Sequence, residues 1–324
     1  MKRVALAALA AVWVSGANPA AAVDWNMASG YGDAFFHTKL IEAFIDDVDK
    51  SSQGKLKIKL HKNQSLFKLP DIKRAVQTEQ VQIGEILLSQ FGNEEPLYEL
   101  NDIPFLADSF DAAAKLWTAL RPPVDESFKA KGMRVVYVAP WTTSGFYSNK
   151  NVDGVKDLKG AKIRVYNDIT RAFFTATESN PALVQFSEVP QAFATGLVDV
   201  MFTAPQLCLA LKCWDFIKQF KHVGSHVPTN AVIVSEKAFA ALDQATQKAL
   251  LDAGKRADAE AWKTARAATA EQLETLKKNG MTVTEANPAF MAELRKVGAK
   301  TLEDWLKKAG PKGQEVVKAY RGQS

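Results

Sequence analysis

The chain has 324 residues, 47% of them hydrophobic and 24% charged, a globular composition that excludes disorder, collagen and coiled coil as descriptions of the whole. Its 41 basic and 36 acidic side chains leave a formal charge of +5, and no Lys/Arg run is dense enough to make a nucleic-acid arm. Two cysteines cannot staple a chain of 324 residues, so a hydrophobic core must hold it.

Lys2 and Arg3 precede an apolar run from Val4 to Val14, and small residues then lead to Ala20-Ala21-Ala22. This is the order of a secretory signal peptide. The run has no polar face, and it is shorter than the ~20 residues of a membrane span. Residues 1–22 are therefore expected to be a signal peptide, leaving an exported periplasmic protein that begins near Val23. In an oxidising compartment Cys208 and Cys213 are either a structural disulfide or two thiols. On one continuous helix their spacing would point the side chains in different directions.

Strand and helix signals then alternate, which argues an α/β fold. Asp24–Ala28 reads as a strand and Phe35–Asp49 as an amphipathic helix, and Leu56–Leu60 has the strict alternation of a half-buried strand. Pro70 opens a helix through Thr78, Ile83–Leu88 is a short apolar strand, and helices are expected around Asp111–Leu120 and Val124–Lys131. Met133–Ala139 is a β-branched strand, and Trp141–Lys159 is a change of texture with few long apolar runs. A compact module follows: strand Ala161–Val165, helix Thr170–Thr177, strand Leu183–Phe186, helix Val189–Thr195 and strand Val198–Thr203. From Asp243, a capping residue, to Gly280 the chain is almost unbroken helix former, with Gly254 the one internal breaker. At 1.5 Å per residue this helix approaches ~55 Å, long enough to run across two domains.

Catalytic signatures are absent: there is no G-x-S-x-G elbow and no H-E-x-x-H. The run Gly154–Lys162 has glycines spaced one too far for a phosphate loop and no Ser/Thr after the lysine. His222 and His226 could share a helical face as metal ligands, but Gly224 and Pro228 argue against a helix there. No cofactor and no metal site is expected.

The run Asp157-Leu158-Lys159-Gly160-Ala161-Lys162-Ile163-Arg164-Val165, with Asn167 following, resembles the substrate-binding proteins of TRAP transporters. Leu56–Leu60 after Ser52-Gln53-Gly54, the Ile103-Pro104-Phe105-Leu106 turn, Ser187–Ala192 followed by Gly196-Leu197-Val198-Asp199, and the long helix from Asp243 are similar to that family in order and spacing. The resemblance implies a two-lobed periplasmic binding protein fold with crossing hinge strands and a long helix spanning both lobes, which close over a ligand. Its lobes would be 23–141 plus 230–270, and 142–229 plus 271–324. It also implies delivery of a small organic acid anion to membrane TRAP permease subunits.

The family's carboxylate-binding arginine falls on Arg164, whose planar fork can donate two parallel hydrogen bonds. Asn167 matches an asparagine that bonds the ligand or braces the arginine, and Thr203 lies near another polar ligand position. Glu188 either holds Arg164 or Gln191 in place or caps the helix at Val189. Where sugar-acid receptors carry a second arginine this chain has Ser144; Pro190 replaces a tyrosine, Val200 a glycine, and Tyr166 a common proline. One arginine, with Trp141, Tyr166, Phe67 and Tyr31 as walls, implies a small monocarboxylate with an apolar or aromatic body, such as an aryl or 2-oxo acid. Two other readings stay open: a secreted two-lobed enzyme using Glu85, Glu188 or His37, and a periplasmic metal carrier using His222 and His226.

Overall fold

The computed structural model describes residues 22–322, so the signal-peptide reading lies outside it except for Ala22. The chain begins with β1 (Val23–Ala28), α1 (Phe36–Ser51), β2 (Leu56–His61), α2 (Ile72–Gln77), β3 (Ile83–Leu87), α3 (Phe110–Ala130) and β4 (Met133–Pro140). It then crosses to β5 (Gly145–Ser148), β6 (Lys162–Val165), α4 (Asp168–Thr175), β7 (Asn180–Leu183), α5 (Val189–Ala194), β8 (Val200–Thr203), α6 (Pro205–Leu211) and β9 (Gln219–His222). It returns through β10 (Thr229–Ser235) and α7 (Glu236–Ala240), and ends with α8 (Gln244–Lys278), β11 (Thr282–Glu285) and α9 (Pro288–Gly322).

Two sheets result, one for each lobe. The first has the order β2-β1-β3-β10-β4 and the second β11-β9-β5-β8-β6-β7. In each sheet the strand that arrives by crossing is the antiparallel one: β10 lies between β3 and β4, and β5 between β8 and β9. The two crossing segments are tied to each other, Trp141 N donating to Pro228 O at 2.7 Å and Gly224 N to Ser144 O at 2.9 Å. They form a two-stranded hinge, as the family resemblance implied.

The long helix is the second tie. Asp243 caps α8 through Thr246 N, and its 35 residues give a length of about 52 Å. Its first half packs on α1 and β4, where Asp258 accepts a hydrogen bond from Val138 N at 3.0 Å and Arg256 forks onto Asp47 of α1. Its second half reaches the other lobe: Gln272 accepts from Thr142 Oγ1 at 2.8 Å and donates to Gln206 at 2.7 Å. Gly254 is the point of closest approach, because a Cβ there would sit 2.7 Å from Val136 Cγ1 and 3.0 Å from the Val136 carbonyl.

Several elements differ from the sequence reading. Pro122 and Pro123 do not divide α3, because Leu116, Leu120, Val124 and Phe128 lie on one buried face and Pro122 on the exposed one. The strand expected at Leu183–Phe186 lies earlier, at Asn180–Leu183, where Pro181 is tolerated because β7 is a sheet edge. The C-terminal residues, grouped with the second lobe from sequence, divide between the two. Phe290 and Leu294 enter the second lobe's core, whereas Trp305 Nε1 donates to Pro96 O and Tyr320 OH to Leu106 O. Gly310, with φ 64°, and Pro311 turn the chain within α9 so that Val316 and Val317 reach the first lobe.

Cys208 and Cys213 are joined in a disulfide with Cα atoms 5.0 Å apart. The helical spacing that argued against it does not apply: α6 stops at Leu211, and Lys212 adopts a left-handed conformation (φ 50°) that brings Cys213 back to Cys208.

Gly254→Ala should lower stability by up to ~2 kcal/mol. The helix-propensity gain of about 1 kcal/mol is outweighed by an overpacking cost of roughly 1–3 kcal/mol against β4. Urea denaturation reads the difference; a stabilised variant would show that the helix can lift off the sheet without cost.

Candidate functional site: a buried cationic cavity between the lobes

The C-terminal ends of β1, β3, β6 and β8 meet the crossing segments around one cavity, the place where open α/β sheets bind ligands. It is lined by Tyr31, Leu69, Leu87, Gln90, Trp141, Ser144, Arg164, Tyr166, Gln185, Phe186, Thr203, Ala204, Leu207 and Pro228. About 40 Å³ of it is open to the centre of a water-sized sphere, more than the ~10–15 Å³ one water needs and suited to a small solute. Arg164 is the one Asp, Glu, Lys or Arg in the lining.

Arg164 stands on β6, and only 2% of it is exposed. Its Nε donates to the Val184 carbonyl at 2.9 Å, its guanidinium lies 5.5 Å from the Tyr166 ring centre, and Nη1 is buried with no hydrogen-bond partner. Among the described residues no carboxylate pairs with it. Burial pulls its pKa down to about 10, with Tyr166 and Tyr31 opposing, so it remains charged at neutral pH. With Nε occupied, an incoming anion must take the outer edge of the fork. A buried charge without its partner is costly, and an anion that completes it recovers that cost.

The walls are aromatic and held from behind. Tyr31 stacks on Phe186 of the opposite lobe, ring centres 5.5 Å apart, and meets Trp141 edge-on at 5.3 Å. Trp141 Nε1 donates to Asn230 Oδ1 at 2.8 Å, and Asn230 donates to Glu85 at 2.8 Å. Glu85 also accepts from Ser29 Oγ, which in turn accepts from Tyr31 N. Burial pushes the Glu85 carboxyl up to about 7, against the lowering influence of Ser29 and Asn230.

A second buried network joins the lobes beside the cavity. Tyr166 OH donates to Asp102 at 3.0 Å and lies 2.8 Å from His226 Nε2, while Asn167 Nδ2 donates to Ser89 at 2.8 Å and to Asp102 at 3.1 Å. Burial raises Asp102 to about 7 and lowers His226 to about 3.

Six residues singled out from sequence line the cavity together: Arg164, Tyr166, Trp141, Tyr31, Ser144 and Thr203. Three do not. Asn167 spends its side chain capping α4 and holding Ser89 and Asp102. Phe67 packs against the first lobe's core, and its neighbour Leu69 takes the cavity position. Glu188 is exposed and its side chain receives Gln185 N at 3.4 Å, closing the short turn Phe186–Glu188; it neither caps the helix at Val189 nor braces Arg164. His37 and Glu85 lie behind the aromatic wall, the His37 ring tilted against Trp141 with centres 4.3 Å apart and its pKa lowered to about 3 by burial.

The paired-histidine metal site does not form. His222 bonds Thr143 and Glu285, and His226 bonds Tyr166 and Ser225, with Gly224 at φ 63° bending the chain between them. Among the described residues no group of three or more His, Cys, Asp or Glu side chains could hold a metal ion. Gln90 and Gln185, missed from sequence, also line the cavity and bond each other across the cleft at 3.2 Å; neither sits in a motif.

Residues 32–308 match the family described as bacterial extracellular solute-binding protein, family 7. The chain belongs to this family. Among solved structures this family 7 receptor is similar to DctP7 of Bordetella pertussis, an extracytoplasmic solute receptor binding pyroglutamic acid: 40% identity, 93% of this chain, 100% of that one, TM-score 0.91. A marine-metagenome TRAP solute-binding protein specific for pyroglutamate is 34% identical, with 93% and 99% covered and a TM-score of 0.90. The sialic acid-binding periplasmic protein SiaP of Vibrio cholerae is 22% identical over 88% of this chain and 89% of that protein. The receptor is thus a TRAP-transporter solute-binding protein, and no helix among the described residues is long and apolar enough to cross a membrane.

Glu85 holds a proton when folded that the unfolded chain releases above its ordinary 4.5, so its contribution to stability is present at low pH and is lost as pH rises through about 7. Relative to wild type, Glu85→Gln should gain on the order of 3 kcal/mol between about pH 4.5 and 8. Urea denaturation across that range checks this; a pH-independent difference would place the carboxyl's ordinary pKa in the folded protein too.

Proposed function

We propose that this receptor is exported to the periplasm by its N-terminal signal peptide, captures a small monocarboxylate with a compact apolar body, and hands it unchanged to membrane permease subunits. The observation that carries the reading is Arg164: a buried, charged guanidinium with a free Nη1 in a cavity holding no other ionised side chain. A single fork suits one carboxylate, and the tyrosine and tryptophan walls suit an apolar or ring-shaped body. Two relatives, 40% and 34% identical, are described as binding pyroglutamic acid or pyroglutamate. That compound is a monocarboxylate on a small ring, so it is the first candidate; aryl and 2-oxo acids share the anchor.

Arg164, Tyr166, Trp141, Tyr31, Ser144 and Thr203 form the ligand shell in this reading, with Asn167 bracing the closed lobes. The residues that an enzyme reading would use are not in the lining. Glu85 and His37 sit behind the wall, and Glu188 is exposed.

Calorimetry with pyroglutamate, benzoate and 2-oxobutyrate tests the reading. Arg164→Ala should abolish binding of whichever acid binds the wild type, and Arg164→Lys should weaken it by about tenfold or more, since ammonium supplies charge without the fork. Mass spectrometry should recover the acid unaltered. Near-wild-type affinity in both variants would remove Arg164 from the site.

A further inference from the structure

The cavity has three buried polar atoms without partners among its lining residues: Arg164 Nη1, Ser144 Oγ and Gln90 Oε1. Buried polar atoms are ordinarily hydrogen-bonded, so orphans gathered around one cavity mark where a ligand's own polar groups belong. The first is a cationic donor and the second a hydroxyl. The third is a carbonyl oxygen, which can only accept. The Gln90 amide is oriented by its Nε2, which donates to Gln185 Oε1 at 3.2 Å and leaves Oε1 unpaired.

We infer that Gln90 is a specificity-determining residue whose side-chain carbonyl accepts a hydrogen bond from a neutral N–H on the ligand, so that the receptor selects acids carrying a lactam or amide N–H. The N–H must be neutral because the lining contains no carboxylate. An ammonium would lie unpaired in the same small cavity as the Arg164 cation, and both desolvation and like charge oppose that. A zwitterionic imino acid of the same ring size is therefore rejected, although it carries the same carboxylate. The inference rests on the carboxylate reading of Arg164 and adds to it the group that reads the rest of the ligand.

Gln90 reaches across from the first lobe to Gln185 of the second, so the acceptor is fixed only when the lobes are closed. Recognition of the N–H thus comes with closure, after the carboxylate has been engaged.

The test compares pyroglutamate with its lactone isostere, 5-oxotetrahydrofuran-2-carboxylate, in which a ring oxygen replaces the N–H, and with proline. Wild type should bind the lactone about tenfold more weakly or worse, because the Gln90 carbonyl is left facing a second acceptor, and should bind proline more weakly still. In Gln90→Leu the lactam should lose that advantage, bringing the two acids within about twofold; Gln90→Ala serves if leucine disturbs packing. A wild type that binds lactone and lactam equally, with Arg164→Ala abolishing both, would overturn the Gln90 assignment and leave the carboxylate reading standing. A wild type that binds neither of these acids but does bind benzoate or 2-oxobutyrate would likewise overturn the Gln90 assignment alone; one that binds none of the four would overturn both.

Discussion

One unpaired buried charge organises this molecule. Arg164 is anchored by its Nε to the Val184 carbonyl, overlaid by Tyr166, and surrounded by residues that offer it no carboxylate. The fold bears the cost of desolvating the cation by itself, and in the proposed function an anion is what returns that cost. In a cavity this small the partner must be small too. The same charge explains why the nearby carboxyls are kept apart from it: Glu85 and Asp102 are each bonded to neutral groups and pushed towards protonation by burial, which reduces their competition with a ligand.

Closure supplies the rest of the site. Phe186 stacking on Tyr31, Gln90 meeting Gln185, and Tyr166 with Asn167 reaching Asp102 and Ser89 all join residues of opposite lobes. None of these contacts is available when the lobes part, so the energy they release is tied to the closed state that removes the ligand from water. The hinge is short and doubly bonded, and α8 runs alongside it. In the proposed function, closure is a rotation about these crossing segments.

The sequence made legible what local physics decides. The alternation in Leu56–Leu60, the Asp243 cap and the unbroken helix formers behind it appear in the structure as β2 and α8. The short strands β5, β9 and β11 carry four residues each, and sheet neighbours rather than propensity define them. Arg164, Tyr166, Trp141 and Tyr31 were readable because a motif in register, with aromatic residues around it, pointed to them. Gln90 and Gln185 were not: each is an isolated glutamine about a hundred positions from its partner in sequence, brought to one cavity only by the meeting of two lobes. Asn167 and Glu188 were found in the right neighbourhood but in structural roles, and sequence spacing cannot separate a ligand contact from a cap. The disulfide was undecided for a similar reason, since Lys212 breaks the helix without being a glycine or proline.

In the proposed function, negative charge on the solute, held by one guanidinium, carries most of the recognition. Comparing calorimetric affinities of the wild-type protein for pyroglutamate and its primary amide isolates that charge while keeping the ring and its N–H. The acid should bind at least about a hundredfold more tightly than the amide, as expected when a buried cation keeps or loses its partner; equal affinities would rule out Arg164 as the anchor.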